Sequence, residues 1–296
     1  MTTPEDRVAA IEAVICREVG RGAKPLMDAT SGNLLRAAES IAEVHAPRIG
    51  LITGFAVPTE QGPRPETDGP GGMAHMAAAF RAAGWPVRLA TDALCAPACQ
   101  VALVSLPRAA DTPIDTDDAA TLAKRWIDEG ITHVISIERC GRSRDGKPRN
   151  MRGEDVSSFT PALDDLFLAA KWRRIAIGDG GNEIGMGSLP IELIARTVPN
   201  GERIACATAA DDLIVAGVSN WGGYGVVGAL AAVMPALAPV LLESLDAEHD
   251  ARLLERLVRE GNTVDGVTRK AEATVDGMPL STHAEVIAAI RRAATG

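Results

Sequence analysis

Aromatic residues are scarce in this chain: one tyrosine, four tryptophans and four phenylalanines among 296 residues. That is too few for the base-stacking platforms of single-stranded nucleic-acid binders. Positive charge is also in deficit, with 30 Lys and Arg against 39 Asp and Glu, a formal net charge of −9. Such a chain is a poor partner for nucleic acid or for an anionic membrane. No apolar run approaches the roughly 18 residues of a membrane-spanning helix. The opening Met1-Thr2-Thr3-Pro4-Glu5-Asp6-Arg7 lacks the basic start and apolar stretch of a signal peptide, so a cytoplasmic protein is expected. The five cysteines (Cys16, Cys95, Cys99, Cys140, Cys206) are scattered and form no CxxC. They read as reduced thiols, not as a disulfide framework or a zinc knuckle. The five histidines form no HExxH, and there is no P-loop or GxSxG elbow.

What is present is a 46 % hydrophobic chain in which short β-branched runs alternate with helical patterns. Strands are expected at Arg48–Phe55, Val87–Thr91, Val101–Ser105, His133–Glu138, Arg174–Gly178, Arg203–Ala207 and Leu213–Gly217. Thr116–Glu129 carries a helical stripe of Ala119, Leu122, Ala123 and Trp126. Thr160-Pro161 ahead of Asp164 and Asp165 predicts a helix start, and Thr282 with Glu285 a capping box. The pattern implies an α/β fold: a mainly parallel sheet, helices on both faces, and a ligand site at the carboxyl ends of the strands. Residues 1–30 read as an N-terminal helical extension and 31–296 as one domain. Within that domain, Asp265-Gly266 and Asp276-Gly277 bracket a hairpin, and 262–296 could form a small lid. The Ala-rich stretch 225–239 suits either a core or a homo-oligomer interface.

Four polar, Gly-rich loops follow strands. Loop 54–72 (GFAVPTEQGPRPETDGPGG) is long for a compact domain. In it, Asp68 either caps the helix that begins at Gly69-Pro70 or joins Glu66 as a ligand to a divalent cation. Loop 138–155 (ERCGRSRDGKPRNMRGED) is a basic cluster in an acidic protein. Arg139 and Arg152 flank its turn, and their planar forks suit a carboxylate or phosphate. Loop 178–188 (GDGGNEIGMGS) holds Asp179, Asn182 and Glu183 among five glycines, the equipment of a metal site or an acid–base pair. The fourth loop contains Ser219-Asn220-Trp221-Gly222-Gly223. Gly223-x-Gly225-x-x-Gly228 formally matches a dinucleotide fingerprint, but no second strand presents the acidic partner, so no nucleotide cofactor is expected.

Together these loops and the segment VDGVTRKAEATVDG resemble the D-glutamate cyclase family over residues 30 to 290 or so. Cys140 departs from the pattern, which favours proline there. The resemblance implies a hydro-lyase acting on a small acidic substrate, closing D-glutamate to 5-oxo-D-proline with loss of water. Such chemistry needs a base for the ammonium, a proton for the departing oxygen and a neutralised carboxylate. On that basis Asp179, Glu183 and Glu138 are the catalytic candidates. Arg139, Arg152, Asn150, Asn182 and Asn220 are the substrate-binding candidates. Glu66, Asp68, Glu138, Asp179 and Glu183 could hold Mg²⁺ or Mn²⁺. Two alternatives fit the same residues: a metal-dependent hydrolase or phosphatase, and a non-catalytic sensor of an amino acid or nucleotide.

Overall fold

A computed structural model describes residues 2–296. Six parallel strands form the sheet: β1 (Ile49–Ile52), β2 (Val87–Ala90), β3 (Ile114–Asp115), β4 (His133–Ile137), β5 (Arg173–Gly178) and β6 (Asp212–Val215). Their order is β3-β2-β1-β4-β5-β6. This is a doubly wound α/β sheet whose winding reverses between β1 and β4. Loops leaving those two strands diverge to opposite faces and open a crevice at their carboxyl ends.

Period-two alternation divides the strands between two cores. Ile49, Leu51, Ile135, Ile137, Ile175 and Ile177 face one. Ile52, Val134, Ala176, Leu213 and Val215 face the other. Over the first core lie α1 (Pro4–Ile15), α2 (Asn33–Ala42), α3 (Pro70–Ala82) and α4 (Ala96–Val104). Over the second lies α5 (Ala119–Asp128), with Leu122 and Trp126 inward as its stripe predicts. The first core is completed by α6 (Ser219–Val233), α7 (Ala247–Glu260) and α8 (Leu280–Thr295). Val8, Ile11 and Ile15 of α1 are buried there, and Gly225 and Gly228 of α6 leave room for Ile15 and Ile290. Gly223 sits against the backbone of Gly72, so the glycines of the fingerprint-like motif serve helix packing.

Several local expectations need correction. Val101–Ser105 is the end of α4, where Ala98, Cys99, Ala102 and Leu103 are buried at helical spacing and Pro97 occupies the first turn. Residues 203–207 are the end of a single helical turn, Gly201–Ile204, and irregular chain. Strand β3 is too short to show a pattern. Loop 54–72 is not structureless, because Ala56–Thr59 pairs with Gly62–Pro65 as an antiparallel ribbon. Asp276-Gly277 is the tip of the C-terminal hairpin, not its border, with both residues at positive φ (55° and 77°) as a type I′ turn requires. Thr282 makes no cap, since α8 begins at Leu280 behind Pro279. The helix after Thr160-Pro161 starts three residues later, at Asp164. No helix among the described residues is long and apolar enough to cross a membrane.

Candidate active site

At the β1–β4 crevice, Thr53 Oγ1 donates to the Ile137 carbonyl at 2.7 Å and ties the two strand ends together. Glu138, the first residue past β4, has φ +43°, a left-handed turn that lifts its side chain over the strand end. Gly69 (φ +95°) passes so close that a Cβ there would lie 2.9 Å from Glu138 Cβ and 2.8 Å from Thr53 Oγ1. Asp68 precedes it. Its carboxylate accepts from the N–H groups of Gly69 (3.0 Å), Ser219 (2.9 Å) and Asn220 (2.8 Å). Asn220 answers with Oδ1, which accepts from Gly69 and Gly72 at the start of α3. Asp68 thus caps α6 while Asn220 caps α3, and the two helix starts are locked together.

Above this lock lies a cavity of about 220 Å³, lined by Glu66, Glu138, Asp179, Glu183 and Asp276 and by Arg21, Arg152 and Arg269. Carboxylate oxygens of Asp68, Glu138 and Asp179 all come within 4.8 Å of one another. Glu66 is only 5 % exposed, and its Oε1 is buried with no hydrogen-bond partner. A Cβ on Gly266 would lie 2.3 Å from Glu66 Oε2, so any side chain there would displace this carboxylate. Glu183 binds its own loop, accepting from the N–H groups of Asp179 (2.9 Å), Gly180 (2.6 Å) and Gly181 (2.7 Å). Ser219 Oγ donates to Glu138 Oε2 at 2.5 Å. Arg21 alone carries positive charge into this floor, pairing with Asp179 at 3.0 Å and with Asp276. Its loop is gathered by Glu18, which accepts from four backbone N–H groups.

Electrostatics follow from this crowding. Burial pushes the carboxyls of Glu66, Asp68 and Glu138 well above the ordinary carboxylate range. Asp276 adds to the effect on the first two, and Asp179 to that on Glu138. Burial, with Asp276, Asp68 and Glu183, raises Asp179 well above that range as well, and Arg21 opposes the shift without cancelling it. Burial opposes the charge on Arg21, and Asp179 and Asp276 outweigh that and hold the guanidinium protonated.

The structure gathers Glu66, Glu138, Asn150, Arg152, Asp179, Asn182 and Glu183 around one cavity, with Asp68 beneath. Besides Asp68, two sequence candidates lie outside its lining. Alternation after the strand turns Arg139 away from Glu138 into the interior, where it is fully buried, pairs with Asp92 and donates to the Gly54 and Pro161 carbonyls. Asn220 spends its amide on the helix lock. Asn150 and Asn182 reach the cavity wall, but their amides also organise the loops around them. Three lining residues come from terminal segments that strand-end reasoning passes over: Arg21, Arg269 and Asp276. The signals available were the glycines on either side of Arg21 and the Asp-Gly steps around Arg269.

Residues 11–291 match the family model described as D-glutamate cyclase-like, C-terminal. The chain belongs to this family. It is also 31 % identical over 289 residues to human mitochondrial D-glutamate cyclase, covering 86 % of this chain and 46 % of that protein. The chain therefore spans about half the length of this curated relative.

Proposed function

We propose that this protein cyclises D-glutamate to 5-oxo-D-proline, with loss of water. The observation that carries the reading is a buried pair of acids with opposite neighbours. Asp179 has a guanidinium 3.0 Å away, whereas Glu138 has the carboxyls of Asp179, Glu183, Glu66 and Asp68 around it. Burial pushes both upward, but only Asp179 has a cation beside it, and acids whose neighbours differ in this way divide into a base and an acid. Asp179, whose ionised form the Arg21 guanidinium favours against the burial that raises its proton affinity, takes the proton from the substrate ammonium. The freed amine nitrogen forms its bond to the δ carbon. Glu138, held protonated, gives its proton to the oxygen whose bond to that carbon breaks. The nitrogen then loses its second proton to Glu138, the proton taken up by Asp179 passes to the same oxygen, and it leaves as water with both acids returned to their starting states. Glu183 suits the base role less well, because three N–H groups already occupy its oxygens. Amine and carboxyl belong to one molecule, so proximity contributes little and charge stabilisation dominates.

Three clustered carboxylates and the unpartnered Glu66 Oε1 fit a hard divalent cation. With an ion bound, Asp68, Glu138 and Asp179 would be ionised and would hold Mg²⁺ or Mn²⁺, leaving Glu66, which burial also pushes well above the ordinary range, as the protonated acid beside them. When bound, the ion would neutralise the floor and polarise the substrate carboxyl. The test is to incubate the protein with D- or L-glutamate, with Mg²⁺, Mn²⁺ or chelator, and to quantify 5-oxoproline. Product from the D-form supports the proposal, and its loss in chelator supports the ion. No product from either form overturns the proposal.

A further inference from the structure

Across the cavity from its acidic floor stand two cations that the reaction as derived does not use. Arg152 is exposed and Arg269 half-buried, and both line the cavity. Among the described residues both side chains are free of internal partners: Arg152 and Arg269 enter hydrogen bonds through their backbone N–H alone. Yet the backbone that carries them is closely fixed. Asn150 Oδ1 accepts from the N–H groups of Arg152 and Glu154, both at 3.0 Å, and its Nδ2 donates to Glu154 at 2.7 Å. On the other wall, fully buried Asp265 accepts from Val267 N–H (2.9 Å), Thr268 N–H (2.8 Å), Thr274 Oγ1 (2.6 Å) and Gly277 N–H (2.7 Å). The Asp265 carbonyl also accepts from the Arg269 N–H at 2.8 Å. One buried carboxylate thus sets both the loop that presents Arg269 and the turn that presents Asp276.

We infer that Arg152 and Arg269 form a carboxylate subsite at the cavity mouth, which binds the non-reacting α-carboxylate of a dicarboxylic amino acid. Assigning that particular carboxylate rests on the cyclase reading. The reacting carboxyl needs the protonated acids of the floor, and the ammonium needs its ionised ones. The α-carboxylate is then the group left to face outward. Burial, and next the charge of Arg152, lower the proton affinity of Arg269, so the two cations stand within each other's field, with Glu154 as the only offset. Like charges held together with only Glu154 to oppose them favour an anionic ligand. Guanidinium forks match a carboxylate in geometry as well as in charge. The product keeps its carboxylate, so 5-oxo-D-proline should occupy the same subsite, whereas 2-pyrrolidinone, which lacks that group, should not.

The experiment measures calorimetric binding of 5-oxo-D-proline, glutarate and 2-pyrrolidinone to the full chain and to Arg152→Ala, Arg269→Ala and Arg269→Lys, together with D-glutamate turnover. Both alanine variants should weaken the two carboxylate probes by about tenfold to a hundredfold. Arg269→Lys should fall between, and 2-pyrrolidinone should show no dependence on either arginine. KM for D-glutamate should rise by the same factor while kcat stays within about threefold. Melting curves matching the parent separate loss of the fork from loss of the fold. Unchanged carboxylate binding in both alanine variants overturns the subsite, as does failure of either carboxylate to bind the unmodified chain. Turnover with an arginine-independent KM sinks the subsite and leaves the cyclase reading standing. Arginine-dependent binding without turnover supports the subsite and sinks the cyclase reading.

Discussion

The floor and the rim of the cavity are built in different ways. Floor acids such as Asp68, Glu138 and Asp179 follow directly on strands or precede a helix, and each is at least nine-tenths buried. Asp68 is bonded to the backbone it supports, and Glu138 is held by Ser219 at the start of α6. Rim cations ride on loops whose backbone is pinned but whose charged ends are free. On the proposed reading, the charges nearest the bond-making atoms are part of the sheet edge, and the charges that select a ligand are not. Floor substitutions should change catalysis, and some should change the fold, whereas rim substitutions should change binding.

The largest effect separates those consequences within the floor. Asp179→Asn and Glu138→Gln keep the shape of each side chain but remove the base and the acid. Turnover should fall by about a thousandfold or more, with melting temperature held near the parent. Near-normal kcat in both would remove the catalytic distinction between floor and rim. Next comes Gly69→Ala, which alters no charge. Its φ of +95° disfavours an L side chain, and the new Cβ meets Glu138 Cβ and Thr53 Oγ1 at under 3.0 Å. A destabilisation of about 2–4 kcal/mol is expected by chemical denaturation. A loss below about 1 kcal/mol would mean that the crevice yields easily and that the floor is no more rigid than the rim.

A third test asks how firmly the floor is supported from behind. Trp221 follows the capping residues Ser219 and Asn220, and its Nε1–H donates to His283 Nδ1 at 2.9 Å. Burial pushes the His283 imidazole below its usual range, while Asp250 and Asp276 oppose this and Arg17 adds to it. With its folded pKa depressed, His283 stays neutral in the native protein while the unfolded chain takes up a proton. Its contribution is complete above about pH 6.5 and is lost as pH falls toward the folded value, by at most ~1.4 kcal/mol per pH unit. His283→Gln removes this titration, so the stability difference between parent and variant should shrink between pH 7 and 5. His133, depressed by burial too, is common to both proteins and cancels. A difference independent of pH would show that His283 titrates alike in both states.

Much of the floor was legible because a parallel α/β sheet announces its own edge. The apolar run of residues 133–137 ends at Glu138, and that of 174–178 ends at Asp179, so fold class alone brings the two acids together. The same logic failed one residue on: strand alternation points Arg139 into the interior, and a string of letters does not show which of two adjacent charged residues faces the crevice. The expectation that Asp68 caps the helix beginning at Gly69-Pro70 is overturned, because its carboxylate instead accepts from the first N–H groups of α6, which begins 151 residues away at Ser219, a pairing no local pattern reports. Arg21, Arg269 and Asp276 were missed for a related reason. Their segments belong to no strand of the main sheet, and the packing of α1 and α8 on α6 helps carry them to the cavity.

The smallest expected effect concerns Cys140, which lies between the floor and the basic loop and would blur their boundary if it reacted. Its Sγ donates to the Arg149 carbonyl at 3.3 Å, and Asn182 Nδ2 approaches the sulfur at 3.6 Å. Burial pushes this thiol above its usual range, and Cys99 and Cys206 are both raised to about 12. At neutral pH these groups are thiols and weak nucleophiles. Iodoacetamide at pH 7.5 should leave the native protein's turnover unchanged, and Cys140→Ala should keep kcat within about twofold, since it removes one weak contact and no charge. Rapid inactivation that Cys140→Ala abolishes would place a nucleophile at the cavity wall, and the division between a floor that reacts and a rim that binds would then have to be redrawn around the sulfur.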